Sequence, residues 1–196
     1  MSPESTLMRI HQAARKEFRE RGFHGASLRS IVKSLGMTTG AFYGYYKSKE
    51  DLFAALVEDH YRYLLDRFRQ AQEEFAHLPY ACQPEVLGDF SGACMFDMLH
   101  YAYDHLEDCQ LLLCCAEGTR FAGLVDEMVQ IETDATHNYF QVLEELGRPV
   151  PDIDLRLEHI LITGMFRTFF ELIIHAMPLN EAENYLREMR AFYTAG

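Results

Sequence analysis

Between residues 27 and 49, small, hydroxyl-bearing and cationic side chains fall together: Ser27, Arg29, Thr38, Thr39, Gly40, Tyr43, Tyr45, Lys47 and Lys49. Hydroxyls and cations bind phosphate oxygens, and short side chains let a backbone approach base edges. Ser27 and Thr38 stand where a side chain caps a helix start, and the N–H groups exposed at such starts favour anions. The chemistry on offer is nucleic-acid binding rather than bond making. There is no GxSxG, no glycine-rich phosphate loop and no HExxH, and Gly88-Asp89-Phe90-Ser91-Gly92 has the wrong spacing for a nucleophile elbow. An enzyme is not expected, and no cofactor is implied.

A second group has a different character. Cys94, Met98, Tyr101 and His105 share one helical face, and Cys114, Cys115, Met128, Tyr139 and Phe140 follow in the next segments. Soft, polarizable side chains suit an adaptable apolar ligand site. Met, Phe and Cys at helical spacing equally describe plain core, and both readings stand at this point. The acids Asp97, Glu117, Glu127 and Asp134 would meet a cationic ligand beside aromatics or form a solvated face. Cys109, Cys114, Cys115, His100 and His105 match no recognised zinc spacing, so no metal site is expected.

These residues need elements to hold them. Leu7, Ile10, Ala14 and Phe18 follow helical spacing after a start signal of Ser2 with Pro3, and Gly22 ends that helix. Ser27 caps a second helix with Leu28, Ile31, Val32 and Leu35 inward, and Gly36 supplies its left-handed stop. Thr38 caps a short third helix carrying Phe42. Ser48 and Asp51 form a capping box for a fourth. That helix keeps its period from Leu52 to Phe68 with no breaker before Pro79. Over residues 49–76 it spans about 40 Å at 1.5 Å per residue. Further helices are expected at about 86–106, 109–116, 120–146, 154–177 and 180–193. No segment sustains period-two alternation, so the fold class is all-α.

Two short helices around a tight glycine turn, from Ser27 to about Tyr46, have the spacing of a helix-turn-helix. The first helix must brace the second so that its exposed face enters a major groove. Charge agrees only when it is read by position. The 196 residues carry a formal charge of −12, which taken alone argues against nucleic acid. Residues 1–50 nevertheless sum to +5 and residues 51–196 to −17, with all four lysines before residue 50. Two modules with different partners follow: a DNA-binding domain over 1–48 and a helical domain over 49–196. With 48% hydrophobic and 24% charged residues the chain is globular rather than disordered. Five cysteines without CxxC spacing and the absence of a signal peptide at Met1-Ser2-Pro3-Glu4 point to a cytoplasm, and Arg167, Glu171 and His175 interrupt the longest apolar stretch, so no membrane segment is expected.

The helix expected from 154 to 177 bears one narrow polar stripe, Thr163, Arg167, Glu171 and His175. It is apolar on most other sides, so it must be covered on more than one face. A second protomer would supply that cover through Ile160, Gly164, Phe170 and Ile174, joined by Leu186 and Met189 of the last helix. Gly164 would allow a close crossing. The alternative is a central core helix of a monomer.

The run Phe18, Gly22, Phe23, Ser27-Leu28-Arg29, Ile31-Val32, then Gly36-Met37-Thr38-Thr39-Gly40-Ala41-Phe42-Tyr43, then Tyr46-Lys47-Ser48-Lys49-Glu50-Asp51-Leu52, resembles the TetR family of bacterial transcriptional regulators. The resemblance covers about the first 55 residues. It implies a homodimer whose two helix-turn-helix units bind a palindromic operator in double-stranded DNA. It also implies a divergent helical C-terminal domain that binds a small-molecule effector and dimerises through its last two helices. By position, Ser27 matches a phosphate-binding helix start, and Tyr43 matches a backbone-contacting tyrosine. Lys49 matches the lysine at the start of the fourth helix, and Thr38, Thr39, Gly40 and Tyr45 match residues facing phosphate or base edges. Tyr46 stands where phenylalanine is usual, and Gly44 stands where a larger side chain is common. The reading is a ligand-responsive repressor released by a small, largely apolar or aromatic, or cationic, effector. Its alternatives are a regulator with no small-molecule ligand and a helical dimerisation or adaptor protein.

Overall fold

The computed structural model describes residues 3–194, so the Ser2 start signal lies outside the described residues. Among those residues there are helices and turns and no strand, and the fold is all-α. Among the described residues no helix is long and apolar enough to cross a membrane. The chain divides into two compact units, residues 1–62 with 105–122 and residues 63–104 with 123–196. This division differs from a boundary at residue 48, because a segment distant in sequence returns to the first unit.

The first unit is built on α1 (Pro3–Gly25), α2 (Leu28–Ser34), α3 (Thr39–Tyr43), the beginning of α4 (Lys49–Ala76) and α6 (Leu106–Cys115). Ile10, Ala14 and Phe18 form the buried stripe of α1 at i, i+4 and i+8. The break at Gly22 is real, with φ +64° and ψ 173°, a backbone state that only glycine takes without strain. One further turn follows it and turns Phe23 inward, where Phe18, Phe23 and Phe53 meet edge-on or stacked at 4.9–6.1 Å. Ile31, Val32, Phe42, Leu52 and Phe53 complete this core. α6 is fastened to α1 by a two-pronged pair, in which Arg15 Nε and Nη2 donate to the two Asp108 oxygens at 2.6 and 2.7 Å.

The second unit contains the rest of α4, a single 3-10 turn (Tyr80–Cys82), α5 (Gln83–Asp104), α7 (Leu124–Glu145), α8 (Leu155–Ile174) and α9 (Leu179–Thr194). Leu64, Phe68 and Phe75 of α4, Met95, Met98 and Leu99 of α5, and Phe166, Phe169 and Phe170 of α8 are buried in its core, where Phe68 and Phe166 meet edge-on at 5.2 Å. α7 starts at Leu124 rather than near 120, because residues 116–122 are held in turns by Thr119. Its Oγ1 donates to the Ala116 carbonyl at 2.7 Å and accepts from Phe121 N at 3.1 Å. Asp154 caps α8 by accepting from Arg156 N and Leu157 N. At the other end of α8, the Tyr103 hydroxyl donates to the carbonyls of Leu172 and Met177.

Candidate nucleic-acid interface and effector pocket

α2 and α3 are held by caps and by one buried acid. Ser27 Oγ accepts from Ser30 N at 3.4 Å, and Thr38 Oγ1 accepts from Ala41 N at 3.2 Å. The turn between the two helices closes at Gly36, whose φ of +64° suits glycine. Glu17 of α1 is buried and was not anticipated. Its carboxylate accepts from Ser27 N at 3.0 Å and from Ser30 Oγ at 2.8 Å, which pins the start of α2 to α1. A negative charge is favoured at a helix start, which rationalises an acid there.

Phe42 anchors α3 by being fully buried, against Tyr46 at 6.1 Å between ring centroids. The residues around it are turned outward. Ser27, Arg29, Thr38, Thr39, Gly40, Tyr43, Tyr45 and Lys47 are all exposed, Tyr43 by 53%. A Cβ added at Gly40 would meet nothing within 4 Å, so nothing inside this protomer requires a glycine's small size there. Tyr46 keeps a packing role and uses its hydroxyl, which lies 2.5 Å from His11 Nε2. Burial pushes the Tyr46 phenol up, and burial and then Arg15 push the His11 imidazole down.

Lys49 is placed differently from its companions. Its ammonium donates to the carbonyls of Phe23 (2.7 Å), Ala26 (3.2 Å) and His24 (3.3 Å), and it lies 4.4 Å above the Phe23 ring. Its three N–H groups thus have acceptors at the end of α1, where helix carbonyls lack internal partners. Residue type foretold a cation at this position, and only the fold tells which way it points.

The six residues expected to line one ligand pocket do not share one. Met98 and Met128 are fully buried core. Cys94 is buried, with its thiol pushed up to about 11 by desolvation, and it lines a small cavity of about 150 Å³ with Phe68 and Phe90. Tyr101 stacks flat on Tyr63 at 3.5 Å. His105 belongs to the first unit, at the start of α6, with its ring 4.9 Å from that of His60. Tyr139 lines a separate cleft of about 440 Å³ with Gln72, Phe75 and Asn138. A larger hollow, about 730 Å³, is bounded by Glu132, Thr136 and Phe140 of α7, Glu158, Leu161, Ile162 and Met165 of α8, and Phe192 of α9. Of this wall the expectation included only Phe140, although the spacing was visible: 132, 136 and 140 fall on one helical face, as do 158, 161, 162 and 165.

The residues expected at a dimer contact also separate. Phe170 (2% exposed) and Leu186 (0%) lie in the protomer's own core, so they pack within the unit rather than offering a surface. Gly164 faces Tyr193 of the same chain, since an added Cβ would lie 3.8 Å from its hydroxyl. Ile174 and Met189 are half-buried. Ile160 is exposed by 63%, and Leu157, Leu161, Tyr185 and Phe192 are exposed with it. The outward apolar surface of α8 and α9 therefore centres on these residues.

Similarity to known proteins is most specific in the N-terminal residues. Residues 10–56 match the family model described as bacterial regulatory proteins, tetR family. The HTH-type transcriptional regulator UidR of Escherichia coli K12 is 38% identical over 83 residues, 42% of this chain and 42% of that protein. The chain thus spans about two-fifths of the length of the curated relative that it matches. Solved structures share the fold over almost the whole chain. SCO3833, a TetR-family member from Streptomyces coelicolor, has a TM-score of 0.60 at 15% identity, covering 92% of this chain and 87% of its own. FadR from Bacillus subtilis, solved with stearoyl-CoA, has a TM-score of 0.52 at 16% identity, covering 93% and 96%.

Proposed function

Because residues 10–56 match the family model described as bacterial regulatory proteins, tetR family, we propose that this chain is a homodimeric, sequence-specific transcriptional regulator. In this reading it is a repressor that a small effector releases from a palindromic operator. The observation that carries the reading is the outward face of α3. Thr39, Gly40 and Tyr43 stand exposed above the buried Phe42, with open space at Gly40 and a capped helix start beside it. Such a face lets a backbone approach a groove while hydroxyls reach phosphates.

Dimerisation is supported by the exposed Leu157 and Ile160, which lie outside the hollow, because an apolar surface on a helix of this kind is ordinarily covered. The effector reading is supported by hollows in the second unit and by a protein of the same fold solved with stearoyl-CoA. The effector shifts a two-state equilibrium between DNA-competent and DNA-incompetent arrangements. By linkage, operator and effector then weaken each other by the same factor. The test is selection of an operator from a random duplex library, followed by gel shift with the parent and with Gly40→Leu. The variant should melt within about 1 kcal/mol of the parent, as surface changes do, and lose operator affinity at least a hundredfold. Equal affinity of both proteins, or no sequence selected by the parent, refutes the reading.

A further inference from the structure

The second unit carries twenty carboxylates against seven arginines and no lysine. Two of those acids, Glu132 and Glu158, line the hollow bounded by α7, α8 and α9. At about 730 Å³ its size suits a small organic molecule. The rest of its wall is largely apolar and aromatic, with Phe140, Met165 and Phe192. A carboxylate in such a wall is costly unless a counter-charge reaches it.

Neither acid forms an ion pair with an arginine or lysine among the described residues. Glu132 accepts from Gln72 Nε2 at 2.7 Å, and burial pushes its carboxyl up to about 7. Glu158 is only 4% exposed and meets His137 Nε2 at 2.9 Å through Oε2. Its Oε1 is buried without a hydrogen-bond partner. A neutral apolar guest would leave both acids as they are, and an anion would be repelled by them and by the field of the whole unit. A cation answers both, and aromatic faces favour it further.

We propose that this hollow binds a small organic cation, its charge held by Glu132 and Glu158 and its apolar body by Phe140, Met165 and Phe192. The inference rests on the effector reading above and gives that effector a place and a charge.

The test uses two ions of one shape and opposite sign. Tetraphenylphosphonium and tetraphenylborate are each titrated calorimetrically into the full chain. Tetraphenylphosphonium should bind and tetraphenylborate should not. Glu132→Gln and Glu158→Gln, checked for native helicity by circular dichroism, should each weaken tetraphenylphosphonium about tenfold or more. Should either variant fail to fold, the comparison of the two ions on the parent chain decides alone. Equal binding of both ions, no binding of tetraphenylphosphonium (as when a second copy fills the hollow), or folded variants that bind like the parent overturn the proposal. Operator binding is measured on the same preparation. A chain that binds tetraphenylphosphonium through these acids yet selects no operator leaves the site standing and removes the regulator reading. One that binds operator but neither ion removes only the site.

Discussion

Replacing Lys49 by alanine separates two roles that a lysine at the start of α4 can have. Its ammonium donates to the Phe23 carbonyl at 2.7 Å and to the carbonyls of Ala26 and His24 at 3.2 and 3.3 Å, over the Phe23 ring. A hydrogen bond to a charged group contributes about 1.5–3 kcal/mol, and an exposed cation–π contact about 0.5–1 kcal/mol. Only one of the three bonds is short. The side chain is half-buried, so water returns to the carbonyls in the variant and screens the charge in the parent. The net loss expected is about 2 kcal/mol, roughly a thirtyfold fall in the folding equilibrium constant. A phosphate-binding lysine behaves otherwise. Removing one phosphate contact from each protomer of a dimer lowers the slope of log affinity against log salt by about 1.8. Urea unfolding of the variant should show the loss of stability, and operator titrations at several salt concentrations should keep the parent's slope. A variant of unchanged stability whose slope falls by about 1.8 refutes the inward placement of Lys49 and restores its expected phosphate contact.

Two other outcomes follow from the packing. Burial raises the Asp108 carboxyl, but hydrogen bonds from Arg15 and His60 outweigh it and hold it at about 2 against an ordinary 3.8. A carboxyl held low stabilises the fold above its ordinary range and loses that contribution as pH falls through the folded value. Asp108→Asn should therefore cost about 2 kcal/mol at pH 7 and flatten the acid-denaturation curve between about pH 4 and 2, and superimposable curves would remove the argument. On the apolar face of α8, Ile160→Glu should convert a dimer to a monomer in sedimentation velocity with little change in protomer melting. Phe170→Ala should instead cost about 3–5 kcal/mol of stability, and the reverse pattern would restore Phe170 to the interface.

The helices were legible because apolar period and breakers are local. Pro79, Gly36 and the caps Ser27, Thr38 and Ser48 each act within a few residues of themselves, and α4 runs over 49–76 as its pattern requires. What the sequence could not give is direction and partnership across distance. Arg15 and Asp108 are 93 residues apart, and nothing near either announces that α6 belongs with α1. Met98 and Met128 lie on apolar faces, as expected of a pocket, but spacing does not say whether a face is filled. Here their side chains are packed, and a hollow of about 730 Å³ lies along 132, 136 and 140 instead. Phe170 and Ile160 are likewise both apolar on one helix, and only the packing of its neighbours divides core from surface.

The same distinction applies to charge. The first 50 residues carry nine cations, yet several are already engaged. Arg15, Arg19 and Arg21 lie in ion pairs with Asp108, Glu107 and Glu17, Arg9 reaches the Leu35 carbonyl, and Lys49 is turned to the end of α1. Arg29, Lys33 and Lys47, on and beside α2 and α3, have no ion-pair partner among the described residues. With α6 and its adjoining turns included, the first unit holds eleven cations against ten acids, so its net charge is close to zero. On the regulator reading proposed above, a positive total is therefore not what would bring this unit to DNA. On that reading the attraction would come from a few cations placed at the exposed helices, together with the N–H groups of capped helix starts and the short side chains around Gly40. Binding of that kind depends less on bulk charge than on the placement of α3, which Phe42 and Glu17 secure from within.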